Sequence, residues 1–518
     1  MNINKILFVS IANARNGNVG IDRLTYYLRN KDKSLKIDIE YLDNSDLKVF
    51  EKILPNDYDL YGFYFDRINY QMVLKLTKQI KRENKVIVLG GMFPSLHYKQ
   101  LFEYTNDFDY IICGDGEEPT SFLIDKLRIE SHREIDEYPY IASRNTYGTK
   151  KSLYKNKAID LNTVNDYYDN NIDIMGYEYS IMTKSNACTH HCTFCLSHKT
   201  NHFQYVDIKN LIDCIEDKLQ TTHINHILFS DCDFFDGNTP EEGLQRVEDI
   251  CEAIVKKNMC NVSFNCFARV DAACFQPQNE YILEKMRDAR FAFIFLGVEA
   301  GNDLDLKLYG KNANVFQNIA AVKILQKYGL YPYIGFIPIN PYSSISRLSD
   351  NLDFLRVIEC VQISNYVRGQ LAIEHNSPIY SMVNKDGLLK KSYNLLNVYD
   401  YNYLNEEIGY INDFLLDSFS NSENLSAGFD PVHYMYVFYH KNKTQYPQLE
   451  IHHESISTIK NNFINIFCSY LEPLYKKGDI QFCRNHYTGV RNQLLATQKE
   501  CDFVCQKIFK DLVKLKKH

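Results

Sequence analysis

At 518 residues the chain is too long for one core, and about 100–200 residues per domain implies two or three. With 45% hydrophobic residues a sizeable core can form, while a net charge of −7 with scattered Lys and Arg gives no basic field for nucleic acid. The tail "KDLVKLKKH" reads as a solvated helix end, no apolar run approaches the length of a membrane span, and the run in "MNINKILFVSIANAR" is too short for a secretory core. A cytoplasmic protein with no membrane partner is expected.

From the N-terminus, short β-rich apolar runs at 5–11, 35–42, 60–65, 85–91 and 109–115 alternate with helical candidates at 20–29, 70–83 and 117–128. That alternation predicts an α/β domain over 1–128, a doubly wound parallel sheet of Rossmann-like type. Ligands of such sheets sit beyond the carboxyl ends of the strands, where Gly90, Gly91, Gly114 and Gly116 fall. Residues 129–176 are polar and rich in Tyr and Asn, and read as a linker.

Alternation resumes over 177–375, with strand candidates at 178–184, 226–231, 262–269, 293–299, 333–339 and 361–367. Helical segments are expected at 207–219, 241–257, 278–288, 314–328 and 345–357. Six strand-helix repeats close only part of the way into a barrel. Residues 376–518 read as a mainly helical C-terminal domain with aromatic faces.

The polar residues just past the barrel strands are Lys184, Asp231, Asp233, Arg269, Asp271, Glu299, Asn340 and Arg368. The carboxyl ends of barrel strands carry the chemistry of such folds, so their joint placement marks a candidate site. After the first of these strands comes "CTHHCTFC", which sets Cys188, Cys192 and Cys195 at C-x3-C-x2-C spacing. Most of the fifteen cysteines stand singly in apolar contexts, as Cys214, Cys251 and Cys260 do, and Cys501 and Cys505 continue a helical stripe through Ile508, Leu512 and Leu515. The run of three is different. Structural zinc takes four protein ligands, and His190, His191 or His198 could be the fourth in a zinc-stabilised binding module. An iron–sulfur cube held by three Cys instead leaves one iron open to a substrate or cofactor.

The motif "CTHHCTFC", with Phe194 before the last Cys, at the end of the first strand of a six-repeat α/β segment, resembles the radical S-adenosylmethionine (SAM) superfamily. The likeness runs from about 176 to 370, through "ILFSDCDFF", "NCFARVD", "FLGVEAGNDLDLKLYGK" and "YIGFIPINPYSSISRLSDNLDFL". It implies a [4Fe–4S] cluster on Cys188, Cys192 and Cys195, cleavage of SAM to a 5′-deoxyadenosyl radical, and attack on an unactivated C–H bond. Asp231, Asp233, Arg269 and Glu299 are the implied SAM contacts. Asp231 and Asp233 stand where many members carry Gly-Gly-Glu, and Pro338 and Asn340 interrupt the usual fifth-strand glycine.

In the first domain, "VIVLGGMFPSL" and "YIICGDGEEPTSFLIDKL" resemble the cobalamin-binding domain that precedes many radical SAM barrels, which implies a corrinoid near Gly90, Gly91, Gly114 and Gly116. The Asp-x-His-x-x-Gly ligand motif is absent, since "SIANARNGNVGIDRL" contains no His. The expected activity is C-methylation of a peptide or small-molecule natural product, with a flavodoxin- or ferredoxin-like electron donor. A cobalamin-independent peptide epimerase is the alternative, and Cys360 is its candidate hydrogen-atom donor, although it lies at the start of its segment.

Overall fold

The computed structural model describes residues 3–12, 18–43, 53, 58–83, 85–149, 161, 179–197, 202–221, 224–259, 261–419 and 430–515. Much of the 129–176 segment, with Cys260 and His198, lies outside them. The chain forms two compact units, residues 1–185 with 204–225, and residues 186–203 with 226–518.

In the first unit, strands β1 (Lys5–Ala12), β2 (Lys36–Asp43), β3 (Leu60–Tyr64), β4 (Val86–Gly90) and β5 (Tyr110–Ile112) pair in parallel in the order 2-1-3-4-5. Their continuous apolar runs follow from burial on both faces. Ile6, Phe8, Leu60, Val86, Val88 and Ile112 pack against Ile21, Leu28, Leu123 and Leu127 of helices Val19–Lys31 and Glu117–Arg128. Asn18 starts the first of these helices, its side chain accepting from the Ile21 amide at 3.1 Å. An ion pair between Arg23 and Glu117 ties the two helices together. The stretch read as a linker begins instead as part of this sheet: β6 (Ile141–Ser143) adds antiparallel to β5, after a short helix at His132–Glu137. The unit also includes β7 (Tyr179–Ile181) and helix Ile208–Thr221.

In the second unit, β8 (His226–Phe229), β9 (Ser263–Arg269), β10 (Phe291–Glu299) and β11 (Tyr331–Phe336) are parallel neighbours in chain order. Helices Pro240–Lys256, Tyr281–Asp288, Val315–Lys327 and Ile345–Val357 separate or follow them. Thr239, Asn314 and Ser344 cap three of these helices through side-chain oxygens, and Asn314 with Gln317 forms a full capping box. The sixth predicted strand is not a strand. Ile363–Val367 is a short helix, with Ile363, Asn365, Tyr366 and Val367 all buried. A short apolar run buried on every side carries no period that separates strand from helix.

Helices Glu406–Phe419, Pro431–Gln445, His453–Lys477 and Ile480–Leu515 complete the second unit. The helix Pro431–Gln445 packs on β9, β10 and β11. Cys501 is buried on a stripe with Val504, Ile508 and Leu512. Among the described residues, no helix is long and apolar enough to cross a membrane.

Candidate active site

The cysteine loop lies within the second unit and is fixed from three directions. Thr189 donates to Asp236 through its amide (3.1 Å) and its hydroxyl (2.9 Å). The Thr193 amide donates to the Tyr309 carbonyl at 2.9 Å, and its hydroxyl to the Leu308 carbonyl at 2.7 Å. The Ile379 amide donates to the Thr193 carbonyl at 3.0 Å. Phe194 meets Tyr309 edge-on at 5.6 Å and packs on the cluster around Tyr309, Leu371 and Tyr401. Cys188 and Cys192 thus each precede a residue whose backbone is pinned, and the Cys195 amide bonds to the Cys192 carbonyl at 3.2 Å.

Arg269, the last residue of β9, joins this loop to the strand ends. Its Nη1 donates to Thr189 Oγ1 and Asp236 Oδ1, each at 3.0 Å, and its Nε to Asp271 Oδ1 at 2.8 Å. Burial works against its charge, but Asp233, Asp236 and Asp271 more than offset that and hold the guanidinium ionised. Asp233 is committed to the scaffold: Oδ1 accepts from the Phe235 amide at 2.9 Å, Oδ2 from the Arg269 amide at 3.3 Å, and Oδ2 lies 3.6 Å from Arg269 Nε. The carboxylate expected to contact SAM therefore orients Arg269. Asp231 is buried at the end of β8, in the electrostatic field of Cys232.

Glu299 ends β10 in a distorted backbone. The β10–β11 register slips between Gly297 and Glu299, and Glu299 has φ +69°. The Ala300 amide bonds back to the Val298 carbonyl at 2.9 Å, so Glu299 is the centre of a positive-φ γ-turn. Such a turn costs on the order of 1–3 kcal/mol for a non-glycine residue, and strain of this kind concentrates at functional positions. The turn sets the Glu299 carboxylate 3.5 Å from Lys311 Nζ. Burial lifts the carboxyl above its ordinary value, with Lys311 opposing. Gly297 makes room for the pair: a Cβ there would stand 2.9 Å from Glu299 Oε1 and 3.4 Å from Lys311 Nζ.

The remaining predicted residues divide. Asp271 joins the site through Arg269 and lies 3.6 Å from His190 Nε2. Asn340 is buried behind it, donating to Asp305 and to the Tyr309 hydroxyl, each at 2.9 Å. Lys184 belongs to the first unit. Arg368 follows the short helix Ile363–Val367 and donates to the Phe419 carbonyl at 2.8 Å. Cys360 is buried, its thiol is pushed up to about 12 by burial, and its carbonyl accepts from the Tyr366 hydroxyl at 2.9 Å. Sequence reasoning passed over Thr189, Asp236, Lys311 and Cys232. Cys232 donates to Asn186 Oδ1 at 3.0 Å, and its thiol is raised to about 11 by burial.

Whether these donors fit a metal can be judged from their arrangement. Among the described residues, no three His, Cys, Asp or Glu side chains converge on a single ion position. Burial and Arg269 depress the basicity of His190. His198, one of the candidate fourth ligands for zinc, lies outside the described residues. Three Cys on one loop held by hydrogen bonds are the donor set of an iron–sulfur cube with one iron left open.

In the first unit, the glycines occupy the carboxyl ends of β4 and β5. Ser95 links them: its hydroxyl donates to the Gly91 carbonyl at 2.6 Å and accepts from the Gly114 amide at 3.0 Å. Gly91 (φ +116°) and Gly114 (φ +83°) take conformations disfavoured for side-chain-bearing residues, and a Cβ on Gly90 would face open space. Gly116 starts helix Glu117–Arg128. The edge is bare backbone, which fits close approach by a large rigid ligand such as a corrinoid.

A fixed three-thiol loop beside parallel-strand ends, joined in one chain to a 2-1-3-4-5 nucleotide-type sheet, defines a two-cofactor α/β architecture. The comparisons agree. The Radical SAM superfamily matches residues 182–355 and the B12 binding domain matches 16–123, so the chain carries a radical SAM domain with a B12-binding domain ahead of it. A 4′-phospho-dehydrooxetanocin synthase from Priestia megaterium is 27% identical over 65% of this chain. The chain spans about half of that relative, 48% of its length. Among solved structures, the cobalamin-dependent SAM radical enzyme OxsB, with aqua-cobalamin and SAM bound, superposes over 99% of this chain and 80% of its own, with TM-score 0.71 and 20% identity. The radical SAM methyltransferase TsrM from Kitasatospora setae, with cobalamin and a [4Fe–4S] cluster bound, covers 78% of this chain and 83% of its own at TM-score 0.58 and 13% identity. Both likenesses concern the fold.

Proposed function

We propose that the chain is a cobalamin-dependent radical SAM enzyme that modifies an unactivated C–H bond, by C-methylation of a peptide or small-molecule natural product. The observation that carries this is the three-cysteine loop locked by Thr189 to Asp236, which follows β8, and to Arg269 at the end of β9. Cys188, Cys192 and Cys195 would hold a [4Fe–4S] cluster, and the glycine edge around Ser95 would hold the corrinoid. When bound, the reduced cluster supplies the electron that cleaves SAM, and the corrinoid supplies a methyl carrier.

The chain's own residues prepare that site. Arg269 keeps the cysteine loop against the strand ends, Asp233 and Asp271 hold Arg269 in position, and Glu299 presents a carboxylate suited to hydroxyl or ammonium donors of SAM. Phe194 and Tyr309 exclude water from one side. A one-electron donor of the flavodoxin or ferredoxin class completes the system.

The full chain, reconstituted anaerobically and loaded with hydroxocobalamin, is tested with methyl-labelled SAM. Labelled methyl in the product, dependent on the corrinoid, is expected. Glu299→Ala should keep its iron while its affinity for SAM falls at least tenfold. An unmethylated product that takes deuterium from deuterated water without corrinoid would replace methylation by epimerisation.

A further inference from the structure

We propose that Lys311 sets the reduction potential of the cluster carried by Cys188, Cys192 and Cys195, through its charge and not as a ligand. This rests on the cluster reading above and concerns a residue that plays no part in it.

Lys311 is placed by a helix stop. Helix Asp303–Leu308 ends with Gly310 at φ +67°, the Gly310 amide bonding to the Lys307 carbonyl (3.1 Å) and the Lys311 amide to the Leu306 carbonyl (3.0 Å). That is a Schellman motif, in which a left-handed glycine turns the chain sharply away from the helix axis. The turn lies against the cysteine loop. A Cβ on Gly310 would stand 3.1 Å from the His191 carbonyl oxygen and 3.2 Å from Thr193 Cγ2, on either side of Cys192 in sequence. The backbone that bears Lys311 therefore touches the residues flanking the second cysteine.

Its side chain is buried, 6% exposed, so its charge is poorly screened. Burying an ammonium costs free energy unless it is paired, and the Glu299 carboxylate is the partner that faces it. Two cations stand in this site, and they are compensated differently. Arg269 lies within 4 Å of three carboxylates, those of Asp233, Asp236 and Asp271. Among the described residues, one carboxylate lies within 4 Å of Lys311, that of Glu299 at 3.5 Å. Lys311 thus keeps more of its field than Arg269 does for the cysteine loop that its turn lies against.

Reduction adds one electron, and so one negative charge, to the cluster and its thiolates. A buried cation stabilises the reduced form relative to the oxidised form and raises the potential, which net charge and solvent exposure are known to set. Neutralising Lys311 should lower the potential. Neutralising Glu299, which releases the whole ammonium charge, should raise it.

The full chain is reconstituted anaerobically and titrated potentiometrically at pH 8 without SAM, using dithionite and mediators, and the reduced cluster is followed by electron paramagnetic resonance. Lys311→Met, with Lys311→Gln in parallel, should lower the reduced fraction at fixed potential about tenfold, a shift of about 59 mV for one electron. Lys311→Arg should stay close to the parent, and Glu299→Gln should shift in the opposite direction. Equal potentials in the parent and both neutral variants, or a Glu299→Gln shift in the same direction as theirs, would overturn the inference with the cluster reading intact. Failure of the parent chain to assemble any four-iron cluster would overturn the cluster reading itself.

Discussion

Glu299 shows how much of the site is made by single residues. Its positive-φ γ-turn, the register slip in β10 and the missing side chain at Gly297 together bring a carboxylate and an ammonium into one buried space. Gly297→Ala should therefore disturb the pair, since the new methyl would stand 2.9 Å from Glu299 Oε1, inside contact distance. Overpacking of this kind costs about 1–3 kcal/mol. The expected outcome is a chain that keeps its iron but binds SAM at least tenfold more weakly, measured by equilibrium dialysis. Unchanged affinity would mean the Glu299–Lys311 pair does not shape that contact. The sequence marked Glu299 and Arg269 because both end apolar strands. It did not mark Lys311 or Asp236, because each follows a turn whose direction depends on tertiary contacts: the Gly310 stop for one, the Thr189 bonds for the other. Cys360 precedes a segment read as a strand that is instead a short helix, Ile363–Val367.

At the scale of elements, the parallel strands of both sheets and most of their helices were legible, while β6 lay in the stretch read as a linker. Their apolar runs are bounded by polar or glycine-bearing turns, and helix Ile345–Val357 falls at its expected limits. The error at 361–367 came from a segment with no exposed face to give it a period. The helix Pro431–Gln445 could be read only as helical, although it carries a consequence for stability. His433 is buried against Tyr331, whose hydroxyl lies 2.8 Å from its Nδ1. Burial lowers His433 to about 4 and His440 to about 3. A histidine depressed in the folded state binds fewer protons there than when unfolded, so its contribution is complete above pH 6.5 and is lost as pH falls. Between pH 6.5 and 5, His433 should withdraw about 2 kcal/mol, with His440 acting in the same direction. Asp430, raised to about 6 by burial, works in the opposite sense and returns about 1 kcal/mol between pH 6 and 5. Hydrogen exchange of the 431–445 amides, corrected for intrinsic rate, should show weaker protection at pH 5 than at pH 7. Equal protection would contradict the burial of a neutral His433.

At the scale of the whole chain, the two units contribute different parts of one chemistry. The first supplies a bare glycine edge at the ends of β4 and β5, and the second a cysteine loop fixed at the ends of β8 and β9. The resemblance in the motifs already suggested both, because three thiols at C-x3-C-x2-C spacing and paired glycines after apolar strands are local features. The partner surfaces and the substrate were not legible, since recognition of an unknown substrate leaves no fixed spacing in a sequence. The account depends most on the three cysteines. Its most direct test is metal analysis of the anaerobically reconstituted full chain beside Cys188→Ala, Cys192→Ala and Cys195→Ala. The parent should hold about four irons and four sulfides per chain, and each variant should lose the cluster. Stoichiometric zinc in the parent, or a cluster retained by all three variants, would contradict it.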